Sequence, residues 1–218
     1  MDRLIDALKQ FDSEINGVNS EEDIQEAFRK LAPAFLYGGY VQVRNDYRVY
    51  IRTVEFYFHS EKENGIHDPI VYHRNGKSLR EVPYFPLLTL HAHDSGFDIT
   101  FESEANEYRA SVLIRAYEVK TKEGEYLKWE KDEKGKYMFR PFTQYKYNTQ
   151  STYLKRMMNG FSLGNENGIM WVDSPVPQSL PIIEKTRQNV FQSESEWEYI
   201  PKKSRCERKW SFTREEQV

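Results

Sequence analysis

A glutamate in the middle of an aromatic and β-branched run is the first residue whose type asks for chemistry. The stretch Tyr50-Ile51-Arg52-Thr53-Val54-Glu55-Phe56-Tyr57-Phe58-His59 contains nothing that breaks a strand. A period of two puts Thr53, Glu55, Tyr57 and His59 on one face and Arg52, Val54, Phe56 and Phe58 on the other. A carboxylate beside a phenol in such company is either a structural acid held by a cation or a base in a pocket. A second run, Ala110 to Val119, is the most apolar strand in the chain and holds Arg115. A guanidinium there calls for a carboxylate, with Glu55 and Asp98 as candidates. Such a pair reads either as a core ion pair or as an Arg and a Glu jointly holding a water or substrate.

Histidine placement is the second signal. His59, His67, His73, His91 and His93 all fall between residues 59 and 93. His91-Ala92-His93-Asp94 brings two imidazoles and a carboxylate together, which suits a metal. The spacing matches no ligand motif, however, and histidines also stack and hydrogen-bond. We therefore expect neither a metal nor a cofactor.

Helical spacing of Leu4, Ile5, Leu8, Phe11 and Ile15 predicts a helix over residues 2–15, and Ser20 followed by Glu21-Glu22-Asp23 caps a second through Ile24, Ala27, Phe28 and Leu31. Pro33 and Gly38-Gly39 are expected to end this region. Strands follow at 40–44 and 47–58, with a turn near Asn45-Asp46. Residues 60–85, rich in Gly, Pro and polar side chains, read as a long loop, the kind that usually carries function. Further strands are expected at 87–91, 97–102 and 110–119. A charged hairpin around 126–129 and a short helix over 148–159 carrying Lys155 and Arg156 come next, and strands at 169–172 and 210–212 close the chain.

The bulk composition sets limits on class. The 218 residues suffice for one domain with a sizeable core, so a single domain over 1–218 is expected, with helices in 1–33 and a core over 40–213. No apolar run is long enough to span a bilayer and the start does not resemble a signal peptide, which predicts a soluble, cytoplasmic protein without a membrane partner. The single cysteine, Cys206, excludes an intramolecular disulfide and a Cys-based zinc site. With 31 basic and 34 acidic side chains, the chain carries no global positive field for nucleic acid.

The order of these features resembles the alkyladenine (3-methyladenine) DNA glycosylase family. Glu55-Phe56-Tyr57 matches that family's Glu-x-Tyr at a strand end, and His67 followed by Arg74-Asn75 matches its His and Arg-Asn. Asp98 stands at its strand Asn, and Val112-Leu113-Ile114-Arg115-Ala116-Tyr117-Glu118 matches its Val-Leu-x-Arg-Ala-x-Glu. Met170-Trp171-Val172, Arg187-Gln188-Asn189-Val190, Glu196-Trp197 and Trp210-Ser211-Phe212 continue the match, which covers about residues 40–213 in order.

The resemblance implies an α+β fold, a curved and mostly antiparallel β-sheet with flanking helices in one compact domain. It implies a monofunctional DNA N-glycosylase, a monomer that flips a damaged purine from DNA in base excision repair. Glu55 is then the general base that activates water against C1′, with Arg115 and the carbonyl of Val190 holding that water. Tyr57 and His67 are to sandwich the base, and Asp98 lies in its pocket.

Two departures qualify this expectation. The stretch Leu87 to Asp94 lacks the family's tyrosines, and His91 falls nearest the position of the wedge that fills the emptied duplex stack. Asp98 also brings a second carboxylate toward Glu55. Arg74, Lys77, Arg80, Lys155 and Arg156 form a short-range basic patch for phosphates. A non-catalytic protein binding a nucleobase or small ligand on the same fold is the alternative.

Overall fold

The computed structural model describes residues 1–18, 20–68, 71, 82–93, 96–142, 168–174, 181–187 and 207–215. Among these described residues, two helices, α1 (Asp2–Glu14) and α2 (Glu21–Leu36), precede a ten-stranded antiparallel sheet. Its strands are β1 (Gly39–Val43), β2 (Tyr47–Ser60), β3 (Leu90–His93), β4 (Gly96–Thr100), β5 (Tyr108–Thr121), β6 (Tyr126–Lys131), β7 (Tyr137–Phe142), β8 (Ile169–Asp173), β9 (Ile182–Lys185) and β10 (Ser211–Arg214). The architecture is α+β, with the sheet curled into a half-barrel. No helix among the described residues is long and apolar enough to cross a membrane.

The helices form where their caps and stripes predict. The Ser20 hydroxyl accepts a hydrogen bond from the Asp23 amide at 3.1 Å, satisfying one of the open donors of the first turn. Pro33 does not end α2, contrary to expectation. The helix continues through it to Leu36, because Phe35 and Leu36 are fully buried and this packing outweighs the one backbone bond that proline removes. The Pro33 carbonyl then accepts from the amides of Tyr37 and Gly38, closing the helix.

The long strands β2 and β5 pair over most of their length and organise the sheet. The helices cover one face of this pair. Phe28 of α2 stacks on Phe56 of β2 with ring centroids 4.5 Å apart, and Phe11 of α1 stacks on Phe28 at 5.5 Å. Trp210 and Phe212 join the same aromatic core.

The pairing of β2 with β5 shifts register twice in succession, between Ile51 and Thr53 and between Thr53 and Val54. Ile51 lies opposite Tyr117, Thr53 opposite Ala116 and Val54 opposite Ile114, so one extra residue enters each strand, Arg52 in β2 and Arg115 in β5. Side chains therefore change parity there. Val49 and Ile51 point to the helices before the irregularity, Val54, Phe56 and Phe58 after it. Arg52 consequently does not share a face with Val54, as strict alternation predicts, but pairs at 3.0 Å with Glu118 on the face away from the helices.

The sheet branches at the same level. Beyond the double bulge β2 pairs with β10 and β5 with β4, giving the order β3-β4-β5-β2-β10-β9. Before it, β2 pairs with β1 and β5 with β6, giving β7-β6-β5-β2-β1-β8. The expected strand at 87–91 begins only at Leu90, because Leu88 takes a left-handed backbone with φ of 63° that no regular strand accommodates.

Candidate functional site

On the sheet face away from the helices, beyond the double bulge, polar side chains replace the apolar core. Ser211, Glu55, Leu113, Asp98 and His91 stand opposite one another in a single row across β10, β2, β5, β4 and β3. Tyr57, Ser111 and Thr100 form the next row. Glu55, Asp98, Ser111 and Thr100 are fully buried, a costly arrangement unless their charges and hydroxyls are satisfied within the face.

Glu55 is the centre. Its Oε2 accepts from Arg115 Nε at 2.8 Å and from the Tyr57 hydroxyl at 3.0 Å. The extra residue in β5 brings the Arg115 guanidinium to this carboxylate, the sort of re-aiming for which bulges recur beside active sites. Burial, followed by the Glu55 charge, pushes the Tyr57 pKa well above the usual phenol range, so its hydroxyl stays protonated and donates. Burial opposes the Arg115 charge, yet Glu55, Tyr57 and Asp98 together hold its pKa above the ordinary guanidinium value. Glu55 is the partner of Arg115 by direct contact, which decides between the two carboxylates open in the sequence.

Asp98 accepts from the Ser111 hydroxyl at 3.2 Å. Leu113 lies between it and Glu55 in the row, so the two carboxylates are on strands once removed, about 10 Å apart at the backbone. His91 stands opposite Asp98, with its ring 5.1 Å from that of Phe85.

The Arg187 guanidinium lies 4.6 Å over the Tyr57 ring, and His67 stacks on His59 at 5.1 Å. Arg187 is buried, donates to Asp68 at 2.5 and 3.4 Å, and reaches the carbonyl of Phe56 at 3.2 Å. The Asp68 amide donates to His59 Nδ1 at 3.1 Å. Arg187, Asp68 and His59 thus form a second buried polar group against Tyr57, to which sequence reasoning assigned no role. The signal that was available is His59, which shares a face with Glu55 and Tyr57 at a spacing of two.

Val190, Arg74, Lys77, Arg80, Lys155 and Arg156 lie outside the described residues, as does Asp94. Among the described residues no cluster of three or more His, Cys, Asp or Glu is placed to hold a metal ion. No protein-family model, curated protein or solved structure matches the chain.

Proposed function

We propose that the chain is a DNA N-glycosylase of the alkyladenine type, hydrolysing the N-glycosidic bond of a damaged purine, with Glu55 as the base that activates water. The reading rests on one observation, a fully buried carboxylate to which a bulge delivers a guanidinium. A purely structural strand pair has no need of a charge at this position. A carboxylate held by a guanidinium away from bulk water suits a reaction whose departing base leaves an oxocarbenium-like sugar, because electrostatic stabilisation acts there at low dielectric. Arg115, whose side chain is 20% exposed, is the member of the cluster nearest solvent and holds the water or substrate against Glu55.

The second reading is a binding module for a nucleobase or small ligand. It is favoured by Arg187 over the Tyr57 ring, where the resemblance implies a stacked base.

Single-turnover excision separates the two. Duplex and single-stranded oligonucleotides carrying 7-methylguanine, 3-methyladenine, ethenoadenine or hypoxanthine are incubated with wild type and Glu55→Gln, and both proteins are melted. Excision by wild type and a loss of about 10²–10⁴-fold in the variant, with the melting temperature kept, supports the hydrolase. No excision on any substrate by folded wild type favours the binding module. A sharp fall in the variant's melting temperature marks Glu55 as half of a structural ion pair.

A further inference from the structure

Before the double bulge, the same sheet face carries a different surface. Tyr40 on β1, Tyr50 on β2 and Tyr126 on β6 point away from the helices, because their chain neighbours Val41, Val49 and Leu127 point into the core. All three tyrosines are half-buried, and cations lie between them. Arg48 sits 5.6 Å from the centre of the Tyr40 ring, and the Tyr40 and Tyr50 rings are 5.0 Å apart. Lys120 lies 5.1 Å over Tyr50 and 4.3 Å over Tyr126. These side chains cross four adjacent strands diagonally, with Glu118 opposite Tyr50 and Lys120 opposite both Arg48 and Tyr126, a span of about 14 Å at ordinary strand spacing. Lys128 and Arg140, opposite one another on β6 and β7, extend the cations beyond Tyr126.

Charge on this zone runs against that of the whole chain, which is formally −3. Among its described residues the carboxylates are Glu118, paired with Arg52 at 3.0 Å, and Glu130, paired with Lys128 at 2.7 Å. Arg48, Lys120 and Arg140 add positive charge beyond these pairs. Half-buried aromatic rings alternating with positive charge on this face fit a polyanion that carries flat rings.

We infer that this zone is a stacking track for single-stranded nucleic acid. Bases lie on the rings of Tyr40, Tyr50 and Tyr126, and phosphates meet Arg48, Lys120 and Arg140. Sheet faces that read single strands stack roughly two or three bases in this way, and a duplex cannot, because its base faces are covered. Lys120 rides on a flexible four-carbon stem, so it can leave a ring face to a base and turn to the adjoining phosphate. Binding on this track does not require the hydrolysis proposed above; where that hydrolysis holds, the track presents its substrate as a single strand beside Arg115.

Fluorescence anisotropy of labelled oligo(dT) with the full chain tests the inference. The measurement is made on Glu55→Gln protein as well, so that loss of excision and loss of binding are read separately. Single strands are expected to bind at least about tenfold tighter than a duplex. Tyr50→Ala is expected to weaken binding about tenfold or more, while Tyr50→Phe, which keeps the ring, binds as wild type. Lys120→Ala should lower the slope of log affinity against log salt by about one. The track is overturned by absence of binding, by equal affinity for duplex, by equal displacement with poly-glutamate, or by an unchanged Tyr50→Ala.

Discussion

Phe56 and Tyr57 are chain neighbours, both fully buried, yet they belong to two different surfaces of one sheet. Phe56 points to the helices and meets Phe28, Phe35, Phe101 and Phe212 through its ring alone. Tyr57 points the other way and meets Glu55 and Arg187 through a hydroxyl and a ring face. The first surface gains from burial itself, because apolar area leaves water at no polar cost. The second must satisfy every charge it buries and contributes little net stability for the effort. A sheet that devotes one face to packing and the other to buried charge separates what holds it together from what it does.

The separation is broken most directly at Phe56. Phe56→Ala opens a cavity in the centre of the aromatic cluster and should lower stability by about 3–5 kcal/mol, read as a shift in urea midpoint at constant m. A cost below about 1 kcal/mol would mean that the helix-covered face is not the main source of stability.

Tyr57→Phe is the matching change one residue on. It keeps the ring under Arg187 and removes only the donor to Glu55, so the expected stability loss is about 1.5–3 kcal/mol, the range for hydrogen bonds to charged groups. Its larger consequence should fall on excision or ligand binding, because Glu55 Oε2 then keeps Arg115 while losing the phenol. Equal effects on stability and on function would erase the distinction between the faces.

Periodicity made the first surface legible and only half of the second. The apolar spacing in residues 2–31 and the alternation in 47–58 place both helices and β2, since each pattern is local. Glu55, Tyr57 and His59 share a face for the same reason. The fate of Arg52 was hidden, because a bulge is a property of how two strands pair and leaves no mark in the composition of either. The continuation of α2 through Pro33 was hidden too, since tertiary burial of Phe35 and Leu36 decides it. Arg187 and Asp68 meet across 119 positions of sequence, and no local pattern predicts such a contact. The partner of Arg115 lay between two carboxylates in the sequence, and the register chose Glu55, with Leu113 separating Asp98.

The smallest expected effect tests whether electrostatics on the helix side stays apart from the site. Arg29 of α2 holds Glu184 of β9 through Nε at 2.5 Å and Nη2 at 3.0 Å, and Gln25 adds a bond at 2.9 Å. The Arg29 hydrogen bonds, against the opposing cost of partial burial, keep the Glu184 pKa below the usual carboxylate range. A folded-state pKa below the unfolded value stabilises the native chain above the unfolded value, and that contribution is lost as pH falls through the folded one. Because the Arg29 side chain is about half exposed and water screens the pair, it is worth about 0.2–1 kcal/mol. Wild type and Glu184→Gln should therefore differ by this amount in urea unfolding at neutral pH and converge in acid, once Glu184 is protonated in both states. Excision, or oligonucleotide binding, should be the same in the two proteins at neutral pH. A change in either would mean that the helix-covered face reaches the polar one through the sheet.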